Sequence, residues 1–570
     1  MSNDVKISLK AFALTAVIFI IVYLSGLANF DTNDDLAVIA ILRGYFGWQA
    51  NISPFISPIL SMILIKLYDL NYVVPWFGLL QYLTMFIGIY WGLKIILSAS
   101  WSLMTKVTLI MILLSLYSYL LMRPNFGATS LFSGFMAAIY MTYLNLKGKG
   151  FWLSYLLVGV MFALSYMFKT VDVWIILPMI FPALFTFLLS SDTRKKFVVM
   201  LIPIAILFIV GVMVNSHALD DYDSVQTVRS TFFSVDFGDM SKSVANLDAA
   251  GWDADDYYVS RVWFTHDQVI FGMDAMSRFL YYDVAHNLIP HVIRQMDLLK
   301  VAEEAMPFLL MIISGLIIML DSNRRLFNFK LQKTKYFWIK WLTILSLVAM
   351  TGGSVLLFLY RFPPRVYISI FLYAFFVVLL VRPLIMREKK AVFNNMRRGL
   401  LGGILCLTIL LLVMQIGAYQ KVTALKVKYQ READSSVLAM KSMLGDDVMF
   451  IEGAGTAATF ILTDPFRETL GVNYILVPPG WIINTPTYYD FLQRNNIPVS
   501  KMVEYSLDNK NVIYSFYCQG WTPMDSFLRH FNRHYGSKSK IFKFEVVKDF
   551  RRGDWEANFV YLKLVSEDKK

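Results

Sequence analysis

The stretch NFDTNDDLAVIAILRGYFGWQANISP, residues 29–54, decides how this chain is organised. It follows the first long apolar segment and places Asp31, Asp34 and Asp35 within five residues. Three carboxylates this close repel one another and resist transfer out of water. If the preceding residues, 9–29, form a membrane helix, these acids lie at the membrane edge and need either a structural or a chemical explanation.

The composition is typical of a membrane protein. Of 570 residues, 57% are hydrophobic and only 16% are charged, with a mean hydropathy of +0.54. Soluble domains carry roughly 25% charged residues. The net charge of +12 lies mostly in short loops between apolar runs, where topology rules place it, so it does not indicate nucleic-acid binding. Cys406 lies in an apolar run and Cys518 in the polar tail, so we expect no disulfide and no cysteine-rich metal site.

The apolar runs predict a mostly α fold, a polytopic membrane helical bundle with about 11 spans. The first run is longer than the ~7–15-residue core of a signal peptide, so we interpret it as a retained span. The spans are placed near residues 9–29, 74–97, 103–122, 126–146, 151–168, 172–189, 197–215, 304–321, 336–359, 366–385 and 399–419.

The loops between these spans differ in charge. Basic clusters such as 194–196, 324–335 and 387–398 fall on one side, which the positive-inside rule makes cytoplasmic. The N-terminus is then inside and the C-terminus outside. The first loop, 30–73, and a large aspartate-rich loop, 216–303, share the outer face with the tail. The pattern therefore predicts a multi-pass membrane protein, and the low cysteine count and outer tail fit a bacterial plasma membrane.

One apolar stretch, residues 54–70, is short for a span. Counting it as a span would move the basic loops to the wrong side. We expect it to form a helix at the outer interface, with Arg43, Trp48, Lys66 and Tyr68 as surface anchors.

The tail differs from the rest of the chain. The segments DDVMFIEG and VNYILVPPG are typical of short buried strands, YYDFLQRNN and MDSFLRHFNRHYG of helices, and KIFKFEVVKDF and NFVYLKLV of further strands. About 135 residues suffice for a small domain. We therefore predict a transmembrane domain at 1–420 and a small extracytoplasmic α/β domain at 435–570.

Two explanations exist for the acidic cluster. On a helix that begins near Asp34, with Thr32 or Asn33 as N-cap, the carboxylates lie in the first turn and interact favourably with the free N–H groups. Capping explains one acid well but three less well. An acid beside apolar walls has a raised pKa, which suits a general base or a metal ligand. We favour the functional explanation.

Cations at the predicted outer interface form a second cluster. Arg123, Lys169, Arg361 and Arg365 all lie there, although the positive-inside rule predicts few cations on that side. Arginine suits bidentate phosphate binding. The alternatives are snorkelling anchors or a Lys169–Asp172 pair that neutralises itself.

Two further motifs are weaker. GWDADDYYVSRVWFTHDQVIFG, residues 251–272, lacks the spacing of an EF-hand; its pair His266–Asp267 could bind a metal or relay a proton, but such a loop more often caps helices and packs on a surface. EGAGTAATF, residues 452–460, fits neither the dinucleotide-binding nor the P-loop pattern, so a tight strand-to-helix turn is the better interpretation.

This arrangement resembles the GT-C class of membrane glycosyltransferases. Members have a first span that ends in an acidic motif, here TNDD at residues 32–35, followed by helices along the membrane, further spans and, in many members, an outer soluble domain. The chain is similar to bacterial members that decorate cell-surface polysaccharides of the cell envelope.

The resemblance implies transfer of a sugar from a polyprenyl-phosphate donor to an acceptor hydroxyl at the outer leaflet, with inversion at the anomeric carbon. The family's catalytic acid falls on Asp34 or Asp35, with Asp34 preferred and Asp31 in a supporting role. Our own inference from topology assigns the donor phosphate to the four outer cations. The remaining candidates for substrate binding are Asp31, Arg43, Asp172, His266 and Asp267.

The expected partners are a polyprenyl-phosphate sugar, a glycan or glycolipid acceptor and membrane lipid. A divalent cation, Mg²⁺ or Mn²⁺, is an expected cofactor if the cations do not balance the phosphate charge. The alternatives are a transporter or lipid-linked oligosaccharide flippase, a polysaccharide polymerase or ligase, and a non-catalytic assembly protein. Charged residues are nearly absent from the middle of the spans and gather at one face, which favours chemistry over transport.

Overall fold

In the computed structural model, the described residues form a helical bundle followed by a mixed sheet. The described ranges are 2–46, 55–99, 101–147, 151–172, 191–215, 244–261, 264–284, 394–454, 475–478, 485–498, 501–517, 524–537, 539–549 and 559–568, with isolated positions between them, among them Asp464, Pro465, Phe466 and Glu468. The predicted spans 304–321 and 336–359, nearly all of 172–189 and 366–385, and both Arg361 and Arg365 lie outside these residues.

The N-terminal half is helical. Its helices are α1 (Asn3–Ser25), α2 (Asn33–Leu42), α3 (Pro58–Leu70), α4 (Trp76–Ser98), α5 (Leu103–Met122), α6 (Phe126–Lys147), α7 (Trp152–Phe168) and α8 (Ser191–Asn215), followed by three shorter helices, α9 (Val244–Ala250), α10 (Ala254–Arg261) and α11 (Met273–Val284). Helix α6 is the centre of the bundle because nearly all of its residues are buried; it packs against α4 and α7.

Among the described residues, four helices are long and apolar enough to cross a membrane: α1, α4, α5 and the part of a later helix that runs over Gly402–Leu444. Helix α7 is apolar but shorter. The chain is therefore a membrane protein. The total of 11 spans and the side on which each loop lies stay predictions.

Helix α3 corresponds to the segment expected to lie at the interface. Its first residues follow Ser57, whose backbone N–H donates to the carbonyl of Met167 at the end of α7 (2.9 Å). Its last turn carries Tyr68, whose hydroxyl accepts from the N–H of Phe77 at the start of α4 (3.1 Å). Both ends of α3 thus lie at the same end of the bundle, which agrees with a helix that does not cross it.

Of the four surface anchors expected for this segment, Trp48 lies outside the described residues, and the other three differ in exposure. Lys66 is exposed, with 83% of its side chain accessible. Tyr68 is instead fully buried, and the side chain of Arg43 is only 6% exposed. Both are covered because a segment from the C-terminal part of the chain packs over them.

Helix α12 (Asn394–Leu444) connects the membrane part to the C-terminal part. It contains 51 residues without a break, which at 1.5 Å per residue is roughly 75 Å, far more than the ~30 Å hydrocarbon core. The sequence predicts only its apolar portion, 399–419, as a helix. The hydrophilic continuation contacts the loop after α1, where the hydroxyl of Thr423 donates to the carbonyl of Leu27 (3.3 Å). It also contacts the C-terminal sheet, where Ser436 bonds the hydroxyl of Tyr561 (2.7 Å).

The C-terminal part contains a five-stranded mixed sheet. Its elements are β1 (Met449–Ala454), β2 (Ile475–Leu476), α13 (Pro486–Arg494), α14 (Met502–Asp508), β3 (Val512–Tyr517), α15 (Met524–His534), β4 (Lys540–Asp549) and β5 (Phe559–Asp568). The strand order is β2-β1-β3-β5-β4. The first three strands are parallel, and β5 pairs antiparallel with β3 and β4. The sequence patterns located all of these except α14 and β3.

The core of this sheet is shared with the membrane-proximal loops. One hydrophobic cluster joins Ile41 and Phe46 near α2, Trp252 and Phe279 from the α9–α11 segment, and sheet residues such as Phe450. The α/β part therefore does not bury its apolar surface by itself. This continuity positions α10 and α15 face to face, and it fixes the sheet relative to the acidic loop.

A short C-terminal segment, Asp464–Glu468, reaches into the bundle. The ring of Phe466 stacks on Tyr82 of α4 with centroids 4.4 Å apart. Gly78, in the first turn of α4, faces the carbonyl of Pro465 so closely that a Cβ there would lie 2.0 Å from that oxygen. Only glycine allows the two backbones to approach this far.

We expect Gly78→Ala to displace this segment. The added methyl group collides with backbone, which cannot rotate away, so the variant should lose about 1–3 kcal/mol of stability. The measurement is thermal unfolding of the detergent-solubilised protein together with protease sensitivity of the 464–468 region. Gly417→Ala on α12 is the matched control, because a Cβ at Gly417 meets nothing within 4 Å. Equal stability of the two variants would contradict this contact.

Candidate active site

The acidic loop is held against the junction between α5 and α6. The backbone N–H of Asn29 donates to the carbonyl of Met122, and that of Asp31 donates to the carbonyl of Pro124, both at 3.0 Å. These two bonds run side by side as in a short strand pair. They place the start of α2 at the end of the bundle where α1, α5 and α7 end and α4 and α6 begin.

Asp35 is completely buried and accepts four hydrogen bonds. Its Oδ1 accepts from the N–H of Phe126 (2.9 Å) and from Gln81 Nε2 (3.2 Å). Its Oδ2 accepts from the hydroxyl of Thr32 (2.8 Å) and from Asn125 Nδ2 (3.0 Å). Phe126 is the first residue of α6, so the carboxylate of Asp35 satisfies an N–H group that has no partner within that helix.

Burial raises the pKa of Asp35 to about 7, although the hydrogen bonds from Thr32, Phe126 and Gln81 lower it. All four donors point at the two oxygens, which leaves little room for a substrate proton. Asp35 therefore has the environment of a structural acceptor, and the raised pKa does not by itself make it the base.

The neighbouring acids differ from Asp35 in exposure. Asp34 lies in the first turn of α2 and is half-buried, so part of its surface is accessible at the loop. Thr32 occupies the N-cap position, as expected, but its side chain bonds Asp35 and makes no cap hydrogen bond. Asp31 is also half-buried, and its Oδ1 lies 3.8 Å from the guanidinium of Arg123.

Two cations flank the acidic loop. Arg123 pairs with Asp31 and lies over the ring of Tyr419 at 5.4 Å. Lys426, on the hydrophilic part of α12, donates to the carbonyl of Phe30 (3.2 Å). Lys426 was not found from the sequence because the predicted last span ends at residue 419 and gives no reason to bring residue 426 back to the loop.

Lys169 approaches the same end of the bundle from α7. A Cβ on Gly127 would lie 3.5 Å from Lys169 Nζ, so this ammonium lies near the first turn of α6. It also pairs with Asp172 at 3.4 Å, as the self-neutralising alternative expected. Lys169 and Arg123 therefore converge on the α6 start, whereas Arg361 and Arg365 lie outside the part of the chain that the structure describes.

Glu468 forms a second buried carboxylate at this end of the bundle. Its Oε1 accepts from the N–H of Gly78 (2.7 Å), its Oε2 accepts from the hydroxyl of Tyr68, and Arg43 Nε lies 3.9 Å away. Arg43 also donates to the backbone carbonyls of Glu468 and Tyr72. Burial raises the pKa of Glu468 to about 7, while Tyr68, Gly78 and Arg43 lower it. Arg43, a candidate substrate ligand, is thus engaged in holding Glu468.

His266 and Asp267 face different partners. His266 Nδ1 lies 3.3 Å from the hydroxyl of Tyr488, whereas Asp267 Oδ2 lies 3.3 Å from Nε2 of His530. Both residues belong to the contact between the α9–α11 segment and the C-terminal part, separate from the acidic loop. A role for either in binding substrate remains a prediction.

The sequence reasoning missed several residues that build this region. Gln81, Asn125, Lys426 and Glu468 are polar residues whose partners lie 46 to 400 positions away in the chain. No local spacing reports such contacts. The polar residues Gln81 and Asn125, in and next to apolar runs, were the only signals available, since a polar side chain in such a place usually has a partner.

Comparison with known proteins gives little beyond this geometry. No protein-family model matches the chain, and no curated protein is significantly similar to it. Among solved structures, the chain is similar to crystal structures of ArnT from Cupriavidus metallidurans, one bound to undecaprenyl phosphate and one in the apo state. The first has a TM-score of 0.35 and the second 0.34. Both are 11% identical to this chain, and each match covers 96% of this chain and 97% of the ArnT chain.

A TM-score this low carries no argument about function. The function proposed for this chain therefore depends on its own residues.

The buried carboxylates predict a pH dependence. A carboxyl group whose pKa is raised on folding stabilises the fold below its unfolded pKa, and that contribution is lost as the pH rises through the folded value. Glu468 loses its contribution to stability between about pH 4.5 and about pH 7. Asp35 loses its own contribution as the pH rises to about 7. The melting temperature in detergent should fall between pH 5 and pH 8.

Glu468→Gln should reduce this slope to roughly half, because the amide oxygen still accepts from Gly78 but no longer ionises. Glu545→Gln is the control, since Glu545 is exposed on β4. An unchanged slope in the Glu468 variant would show that its carboxyl group does not titrate in this window.

Proposed function

We propose that the protein is a multi-pass membrane glycosyltransferase that transfers a sugar from a polyprenyl-phosphate donor to an acceptor hydroxyl of a cell-surface glycan or glycolipid. The observation that carries the proposal is that a half-exposed carboxylate, Asp34, lies at the same end of an apolar bundle as cations from three separate parts of the chain. Acid and cations together match what this reaction needs.

The acceptor hydroxyl must lose its proton as it attacks. Asp34 is assigned as the general base because it is accessible, whereas Asp35 is saturated by donors. The acceptor oxygen forms a bond to the anomeric carbon, the bond from that carbon to the phosphate oxygen breaks, and the proton moves to Asp34. This in-line displacement inverts the anomeric centre.

The leaving group is a lipid phosphate, which carries the negative charge that the bond cleavage releases. Arg123, Lys169 and Lys426 supply positive charge at this end of the bundle. Charge compensation of this kind makes a general acid unnecessary and is often the largest contribution to catalysis. Asp31 restrains Arg123 through their ion pair and so orients the guanidinium.

A divalent cation remains a predicted cofactor. Mg²⁺ and Mn²⁺ prefer several oxygen ligands. In the described residues, the oxygens of Asp35 are occupied by donors and Asp31 faces Arg123. The acidic loop is therefore a poor fit for a dedicated metal site, and the proposed mechanism contains no step at a metal ion.

The first test separates the two adjacent aspartates. Asp34→Asn should keep the melting temperature within a few degrees, since only a favourable interaction of about 0.3–1 kcal/mol with the helix start is lost. It should lower transfer from a polyprenyl-phosphate sugar by roughly 10²- to 10⁴-fold. The assay uses purified protein in lipid and measures sugar release from the donor.

Asp35→Asn should behave differently. The NH₂ group of the introduced amide would face two of the four hydrogen-bond donors. The variant should therefore lose about 1–3 kcal/mol of stability. If Asp34→Asn kept full transfer activity, Asp34 would not be the general base. A stable Asp35 variant without transfer would assign the base to Asp35 instead. Transport of a lipid-linked sugar across liposomes without its consumption would favour a flippase.

The second test concerns the donor phosphate. Lys426→Met should raise the KM for the polyprenyl-phosphate donor about 10- to 100-fold, because a charge-assisted hydrogen bond of roughly 1.5–3 kcal/mol is removed. Lys428→Met is the matched control two residues along α12, where Lys428 pairs with Glu432 instead. If both variants changed KM equally, the effect would come from net charge and not from a phosphate contact.

A further inference from the structure

A second polar cluster lies away from the acidic loop, between α10 and α15. Asp256 of α10 is fully buried and faces two histidines of α15, His530 and His534. Asp256 Oδ1 lies 2.7 Å from His530 Nδ1 and 2.9 Å from His534 Nε2. The three candidate ligand atoms all lie within 4.8 Å of one another.

Two local features of the sequence bring these three side chains together. His530 and His534 are four residues apart, so both rings project from one face of α15. Asp253 and Asp256 form a reciprocal cap at the start of α10: each backbone N–H donates to the other's carboxylate, at 3.0 and 2.8 Å. That cap fixes the Asp256 carboxylate in front of the histidine pair.

The ring of His530 lies between two carboxylates, although its Nε2 makes an ion-pair contact and not a hydrogen bond with Asp267. Its Nδ1 faces Asp256, while its Nε2 lies 3.3 Å from Asp267 Oδ2. Metal-ligating histidines almost always donate their other ring N–H to a carboxylate or carbonyl, which fixes the tautomer and ring orientation. The ring of Phe271 stacks on His530 and packs it on one side, with centroids 5.1 Å apart.

From this geometry we infer that Asp256, His530 and His534 form a zinc site that ties the α9–α11 segment to the C-terminal sheet. Two imidazole nitrogens and one carboxylate oxygen are ligands that zinc accepts, whereas Mg²⁺ and Mn²⁺ prefer oxygen. His530 binds through Nδ1, His534 through Nε2, and water fills the fourth position on the side where His534 is partly exposed.

Zinc binding requires a change in protonation of the ligands and a small movement of their atoms. In the zinc-bound state each ring is a neutral imidazole that carries its hydrogen on the other nitrogen, Nε2 of His530 and Nδ1 of His534, and a ring that was doubly protonated releases one proton to solvent. The ligating nitrogen gives its lone pair to the ion. Ligand atoms around tetrahedral zinc lie ~3.3 Å apart, so the cluster opens by roughly 0.5 Å. Arg533 contacts the other oxygen, Asp256 Oδ2 (3.2 Å), and is itself paired with Asp253 (2.5 Å), so its charge is balanced outside the site.

The test is zinc binding by the full-length protein in detergent, purified without a histidine tag and stripped with EDTA. Zn²⁺ is added in competition with a chromophoric chelator, and Co²⁺ is used as a spectroscopic probe of ligand type. We expect one Zn²⁺ per chain and a higher melting temperature with zinc than with EDTA. A wild-type protein that takes up no zinc would overturn the proposal and leave the cluster a hydrogen-bonded ion pair.

Variants locate the ion. His534→Gln should weaken zinc binding by more than about 100-fold and abolish the zinc-dependent rise in melting temperature. Its melting temperature in EDTA should lie slightly below that of the wild type, because its contact with Asp256 is also lost. Asp267→Asn should weaken zinc binding about 10- to 100-fold, as expected for a carboxylate that orients a ligand. Unchanged affinity in both variants would place any bound zinc elsewhere.

Arg529→Gln is the matched control. Arg529 lies on α15 and forms a bidentate pair with Asp255 of α10, at 2.7 and 2.8 Å. The substitution therefore loosens the same two helices without removing a ligand. We expect its zinc affinity to equal that of the wild type; a loss as large as that of His534→Gln would show that helix contact, and not ligation, controls the result.

Discussion

The first N–H groups of helices α4 and α6 are buried and need acceptors, and the rest of this end of the bundle depends on how they are satisfied. An unpaired backbone N–H in such an environment costs several kcal/mol. Asp35 accepts from the start of α6, and Glu468 accepts from the start of α4. Both acids are remote in sequence from the helix that they cap, so each cap also joins two parts of the chain.

This constraint explains the crowded aspartates at residues 31–35. Once Asp35 is buried as a cap, the helix turn carries Asp34 to the accessible side and leaves Asp31 beside Arg123. The three acids therefore have three different environments in spite of their proximity. A motif of this kind can serve stability and chemistry together, because the buried member fixes the position of the exposed one.

The sequence predicted the helical bundle well because apolar length and charge asymmetry are local signals. It located α1, α4, α5, α6 and α7, and it treated residues 54–70 as a helix that does not cross the bundle. It also located most strands of the tail. It did not predict that α12 continues as one helix beyond residue 419, because hydropathy reports the end of an apolar run and not the end of a helix.

The site was less predictable than the fold. The acidic loop and Arg123 were visible as charges in unexpected places, whereas Lys426 and Glu468 become neighbours of the loop only through tertiary packing. Tyr68 and Arg43 were interpreted as surface anchors because amphipathic side chains usually snorkel. Burial beneath the 464–468 segment reverses that expectation, and no periodicity in either segment could have indicated it.

The cap that Glu468 places on α4 also constrains the order in which the protein is made. The two residues that meet there, Gly78 and Glu468, are 390 positions apart. At a synthesis rate of ~5–20 residues per second, the start of α4 waits roughly 20 to 80 seconds for its acceptor. During that interval the start of α4 lacks the acceptor that it has in the folded protein. A nascent chain that stops before residue 468 has the bundle without its closing contact.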